Sequence, residues 1–189
     1  MASRPFINDE SVDDVLPKAE AGAIDRYRLN VVAGTMADVV ASAGGWLCDR
    51  ARAGWDVNVL IADHHDPRPL SILGATALDL DSEFGSMMKH ASTRGALAVS
   101  ADLLRTDGRV RTDILRVLKR GLTEVTVWGE SWPAEFGRQV DPVEHRLSAA
   151  ARAFKAHALA GLAASQGSSS RPETLFRIGT GSFRPLYSV

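Results

Sequence analysis

The residues with the most evident capacity for chemistry are consecutive: Asp63-His64-His65-Asp66. Carboxylates and imidazoles are ligands for Mn, Zn or Fe, and neighbouring residues leaving a strand can converge on one ion. Asp102 and Glu130 each follow a further apolar run and could add oxygen ligands. A two-metal cluster of that kind activates water for hydrolysis of phosphodiesters or pyrophosphates. A second candidate is Gly34-Thr35, at the start of a helical pattern, where free N–H groups and the macrodipole attract phosphate. Neither G-x-G-x-x-G nor the P-loop pattern is present, and Asp38 in the first turn would oppose an anion. No G-x-S-x-G elbow occurs, and nothing in the sequence links Ser100 to a base.

Each of these features also has a plain structural explanation. Asp63 can cap a turn, and His64 and His65 point opposite ways if the chain stays extended. Cys48, the single cysteine, can form no internal disulfide and reads as a buried thiol. Trp128, Trp132 and Phe136 read either as an aromatic binding loop or as a loop folded over a sheet edge. The series Arg105, Arg109, Arg111, Arg116, Lys119 and Arg120 reads as the solvated side of a helix.

The elements that must position these groups are legible from periodicity. Residues 29–33 form a short apolar run ending at Gly34, with Thr35 placed as a helix cap. Val39, Val40, Ala43, Trp46, Leu47 and Ala51 then recur at helical spacing, and residues 55–62 form a second apolar run. Strand, amphipathic helix and strand within about 35 residues make a crossover unit with parallel strands. Gly44-Gly45 falls inside that helix, where each glycine costs roughly 1 kcal/mol relative to Ala. Close approach of the helix to the sheet or to a ligand would account for the pair.

Residues 71–80 read as a short strand or a loop, and 83–92 as helical with Met87 and Met88 inward. Residues 96–101 and 124–128 read as strands, joined by a helix starting near Thr112 and ending at Gly121. Asp141 as N-cap and Pro142 at N1 predict a long helix over 142–164, with Val143, Leu147, Ala150, Phe154, Ala158 and Leu162 as its stripe. Residues 174–187 alternate like two strands around Gly-Thr-Gly-Ser, giving an antiparallel edge hairpin or a partner-docking segment. In an open parallel sheet, ligands bind beyond the carboxyl ends of the strands. That rule gathers Thr35, Asp63, Asp102 and Glu130 on one edge.

Residues 55–67, an apolar strand running into Asp63-His64-His65-Asp66-Pro67, resemble the motif that names the DHH phosphoesterases. The resemblance covers about 13 residues of the 189. It implies that Asp63, His64 and His65 belong to a metal site.

The bulk properties bound the rest. The chain is 45% hydrophobic, long enough for one domain with a sizeable core. Lys and Arg number 22 against 23 Asp and Glu, so no global field draws the chain to nucleic acid or an anionic membrane. No run approaches the roughly 18 apolar residues of a membrane span, and the amino terminus lacks a signal-peptide core, so a cytoplasmic location is expected. The expected fold is a three-layer α/β sandwich with a mostly parallel, Rossmann-like sheet of four or five strands and helices on both faces. A flexible acidic arm (1–24) precedes the α/β domain (25–164), and a linker and tail (165–189) follow. The favoured function is a non-catalytic binding or accessory protein acting through protein partners or as a homo-oligomer. The alternatives are a metal-dependent phosphoesterase at Asp63-His64-His65, and a vestigial nucleotide-binding domain at Gly34-Thr35.

Overall fold

A computed structural model describes residues 26–63, 66–90, 95–121, 123–131, 133–136, 140–162 and 167–178. The expected acidic arm, His64, His65, Trp132 and the second strand of the expected terminal hairpin lie outside the described residues. The described chain runs β1 (Arg28–Thr35), α1 (Met36–Arg52), β2 (Asp56–Asp63), α2 (Arg68–Ile72), β3 (Thr76–Asp79), α3 (Leu80–His90) and β4 (Gly95–Ser100). It continues through α4 (Ala101–Thr106), α5 (Gly108–Arg120), β5 (Glu124–Trp128), β6 (Val140–His145), α6 (Ala149–Ala160) and β7 (Glu173–Ile178).

All seven strands form one sheet in the order β3-β2-β1-β4-β5-β7-β6. The pairs from β3 to β5 are parallel, and β7 is antiparallel to both β5 and β6. The expectation of four or five strands is therefore corrected to seven. The sequence reading missed β6, taken for the start of a helix, and left β3 open between strand and loop; β7 falls where alternation suggested an antiparallel edge.

The parallel strands are apolar runs because both of their faces are covered. Alternate residues divide between two cores. Val31, Val59 and Ile61 pack with Val39, Val40 and Leu47 of α1, Leu70 of α2 and Leu159 of α6. Val32, Leu60 and Val99 pack on the other face with Phe84 of α3, Leu104 of α4 and Ile114 of α5. Asn30 is the polar exception within β1. It stands beside Asn58 in register and accepts a hydrogen bond from that side chain at 3.4 Å.

Local capping chemistry sets the helix starts. The Thr35 hydroxyl accepts from the Asp38 N–H, as its sequence position suggested. Asp107 accepts from the N–H groups of Arg109 and Val110, which starts α5 at Gly108 rather than near Thr112, and α5 ends on left-handed Gly121.

The helix expected over 142–164 is corrected. Residues 140–145 form edge strand β6, and α6 begins at Ala149 behind the Ser148 cap. Asp141-Pro142 and Ser148 both carry helix-start chemistry. Six residue pairs with β7 decide for a strand at Pro142, whose missing N–H is tolerated on an edge. The buried stripe of α6 shifts accordingly to Ala151, Lys155, Ala158 and Leu159, leaving Phe154 exposed. Strand β7, read as an edge or docking segment, lies between β5 and β6.

The glycine pair in α1 faces neighbours, as its cost in helix propensity implied. A Cβ on Gly45 would stand 2.2 Å from Leu147 Cδ2 and 3.1 Å from Glu173 Oε1. Glu173 lies under the helix, accepting from the N–H groups of Gly45 (2.8 Å) and Trp46 (2.7 Å). Lys155 Nζ donates to Glu173 Oε1 at 2.6 Å and to the Ala41 carbonyl at 2.7 Å. Both charged side chains are almost fully buried. The Gly45 N–H and the Ala41 carbonyl lie one helical turn apart, and each has a charged partner, which ties α1, α6 and β7 together.

Candidate functional site

The strand order reverses between β1 and β4. The chain passes from β1 to β2 and β3 on one side and returns to β4 and β5 on the other. The carboxyl edge above that reversal is where an open α/β sheet binds its ligand. The first turn of α1 projects there from the end of β1 and carries Asp38.

Asp38 is held from two sides. Its Oδ2 accepts from the indole Nε1 of Trp128, the last residue of β5, at 3.0 Å. Its Oδ1 accepts from the Ser42 hydroxyl one turn along α1, at 3.1 Å. Both partners are neutral, so the carboxylate keeps its charge unpaired by them, and each oxygen retains a second lone pair. Trp128 is fully buried, so its rigid ring fixes the carboxylate relative to the sheet. Gly129 follows with a φ of +110°, and a Cβ there would stand 3.0 Å from the Cβ of Ala101. The exit of β5 thus passes close over the start of α4, a turn that glycine makes possible.

The other candidates share this edge without forming a cluster. Asp63 ends β2 directly beside Thr35 in the parallel register. Asp66 is engaged by the Arg68 guanidinium, whose hydrogen bonds hold its carboxyl below the ordinary range. Asp102, in the first turn of α4, pairs with Arg105 and is exposed. Glu130 lies exposed just beyond β5. Among the described residues, no group of three or more His, Cys, Asp and Glu side chains could hold a metal ion. Asp63, Asp102 and Glu130 therefore make no metal site among themselves.

At Gly34-Thr35 the cap hydroxyl is already engaged by Asp38, whose carboxylate occupies the same helix start. Nothing lies within 4 Å of a Cβ placed on Gly34, so no close approach calls for glycine there. The aromatic loop is folded in: Trp128 and Phe136 are buried. Cys48 is buried as expected, and burial raises its thiol pKa. In the arginine series, Arg105, Arg109 and Arg116 pair with Asp102, Asp81 and Asp113.

The Asp38–Trp128 contact is the feature that sequence reasoning missed. Asp38 shows in the sequence as a helix-start residue, but its partner is 90 positions away.

No family model and no curated protein matches the chain. Solved structures do. The A40926 pseudoaglycone deacetylase Dbv21 is 15% identical, with a TM-score of 0.54 over 84% of this chain and 100% of that one. The zinc-inhibited form of the teicoplanin deacetylase Orf2 is 11% identical, with a TM-score of 0.53 over 79% of this chain and 97% of that one. At such identities the likeness establishes a shared fold. The neighbours are deacetylases, which runs against the expectation of a non-catalytic, protein-binding chain. Among the described residues no helix is long and apolar enough to cross a membrane.

Proposed function

We propose that the chain is an amide hydrolase of the deacetylase type, acting on an N-acylated substrate at the carboxyl edge of its sheet. The observation that carries this reading is the Asp38 carboxylate, anchored by Trp128 and Ser42 beside the point where strand order reverses. The deacetylases that share the fold supply the reaction class. Asp38 serves as general base. A water molecule loses a proton to Asp38 as its oxygen bonds to the amide carbon. The C–N bond then breaks, and that proton passes to the departing nitrogen, leaving a carboxylic acid and an amine. A positioned base of this kind contributes about 10²–10⁴-fold.

In the same proposal, Asp63, His64 and His65 would hold a divalent Mn, Zn or Fe ion, which would polarise the amide carbonyl. Among the described residues the donors do not by themselves complete such a site.

The test is release of acetate or longer acids from N-acylated amino sugars and from teicoplanin. Wild-type protein is expected to release acid, and Asp38→Asn to lose about 100-fold or more while its circular dichroism is unchanged. Absence of release from every substrate, or an Asp38→Asn variant as fast as wild type, overturns the assignment. Metal analysis tests the ion separately: His64→Ala should remove it, and protein purified without Mn, Zn or Fe refutes that part alone.

A further inference from the structure

A groove opens at the opposite, amino edge of the sheet, where β1, β2 and β3 begin. It has a volume of about 340 Å³ and is lined by Arg26, Arg28, Trp55, Asp56, Asn58 and Thr76, among others. Eight residues of β1 separate its floor from the Asp38 edge, roughly 25 Å at strand rise. It therefore belongs to a different site.

Charge in this groove is unbalanced. Arg26 and Arg28 are two apart on an extended chain, so they project to the same side. Asp56, the one carboxylate of the lining, stands 3.7 Å from the Arg26 guanidinium. Both arginines are exposed at the groove, and no carboxylate among the described residues pairs with Arg28. Asn58 and Thr76 add an amide and a hydroxyl on neighbouring strands, side by side in the β2–β3 register.

The wall is rigid. The Asp56 N–H donates to the Tyr27 carbonyl at 2.9 Å, which fixes the segment bearing both arginines against β2. Trp55 is stacked on Tyr27 at 5.3 Å, and the Arg50 guanidinium lies 4.7 Å from the Trp55 ring centre. Gly74 closes the far side with a φ of +78°, where a Cβ would press on Ala51 at 3.0 Å.

We infer that this groove is a second binding site, for a small hydrophilic oxyanion: a phosphate ester or carboxylate carried on a polyhydroxylated body. Arg28 and Arg26 clamp the anion, since guanidinium forks match both oxyanions. Asn58 and Thr76 take hydroxyl groups of the body. The volume is at the lower end of the range for small-molecule sites and suits a ligand of sugar-phosphate size. Asp56 competes with the ligand for Arg26.

The experiment is a thermal-shift and calorimetric titration of the full chain with inorganic phosphate, glucose 6-phosphate and citrate, against sodium chloride at matched ionic strength. Binding should raise Tm by roughly 3–6 °C at ten times Kd. Preference for glucose 6-phosphate over citrate identifies the phosphate ester, and the reverse identifies the carboxylate. Arg28→Gln should weaken binding about tenfold or more, while Asp56→Asn should tighten it several-fold by freeing Arg26. Opposite responses of two exposed substitutions are not produced by a loss of folding. Equal Tm in all four salts, or unchanged affinity in both variants, overturns the inference. Loss of acid release at Asp38 leaves it untouched, because neither variant lies at that edge.

Discussion

Glu173→Gln removes one charge from a buried pair while keeping the side-chain shape. Glu173 is 4% exposed and Lys155 1% exposed, and Glu173 accepts three hydrogen bonds, from the N–H groups of Gly45 and Trp46 and from Lys155. A glutamine can offer its oxygen to one of the two backbone donors but presents an NH₂ group to the other. Lys155 is left as a buried cation that faces a neutral amide and the Ala41 carbonyl, with no opposite charge beside it. Breaking such a pair from one side costs about 3–5 kcal/mol. For a chain of this size that lowers Tm by roughly 6–20 °C. It removes a large share of the total stability of about 5–15 kcal/mol common to such domains. The pair itself is not the source of that loss. Replacing both charges, with Lys155→Met beside Glu173→Gln, removes the stranded ammonium and leaves a neutral side chain in its place. The double variant should therefore recover at least half of the deficit. Urea denaturation followed by tryptophan fluorescence and far-ultraviolet circular dichroism measures all four corners of the cycle. A Glu173→Gln variant within 1 kcal/mol of wild type refutes the reasoning, as does a double variant as unstable as the sum of the singles. Should Glu173→Gln fail to fold, a well-folded double variant still supports the argument, and an unfolded one counts against it.

Further outcomes follow from the packing of α1 against its neighbours. Gly45→Ala should destabilise by about 1–3 kcal/mol through overlap with Leu147, against the roughly 1 kcal/mol that helix propensity favours, whereas Gly34→Ala, with open space around its Cβ, should be close to neutral in the same urea assay. Asp49 sets an acid limb of stability. Burial alone would raise its pKa, but hydrogen bonds from the Ser148 hydroxyl and N–H and from His145 outweigh it, so its folded pKa lies below the unfolded value of about 3.8. The stabilisation is present above pH 3.8 and is lost as pH falls through the lower folded value. Asp49→Asn should flatten that acid limb in stability measured from pH 5 to pH 2, and an unchanged limb counts against the assignment.

The amino-acid sequence by itself determined the parallel core. β1, β2, β4 and β5 are apolar runs because both of their faces are covered, and burial on both faces writes itself into composition. Thr35 and Gly121 bound helices through chemistry acting over one turn, and that too is local. Gly44-Gly45 announced a close approach without saying to what. The approaching groups, Leu147 and Glu173, come from segments about 100 and 128 residues further along the chain, so no local pattern names them. Tertiary structure alone decided that Pro142 lies in a strand, because six pairs with β7 outweighed a good helix-start signal. It decided as well that Lys155 is buried, against every propensity of lysine, because Glu173 awaits it.

The candidate site divides the same way. The carboxyl edge follows from the alternation of strands and helices, and Asp63 and Thr35 were placed on that edge from the sequence, while the point of strand reversal above which it lies came with the strand order. That Asp38 is the carboxylate held there depends on Trp128, which reaches it only after β5 has taken its place in the sheet. Hydrogen-bond partners separated by 90 residues are a property of the fold, and the chemistry at this edge becomes visible only once the strands are in order.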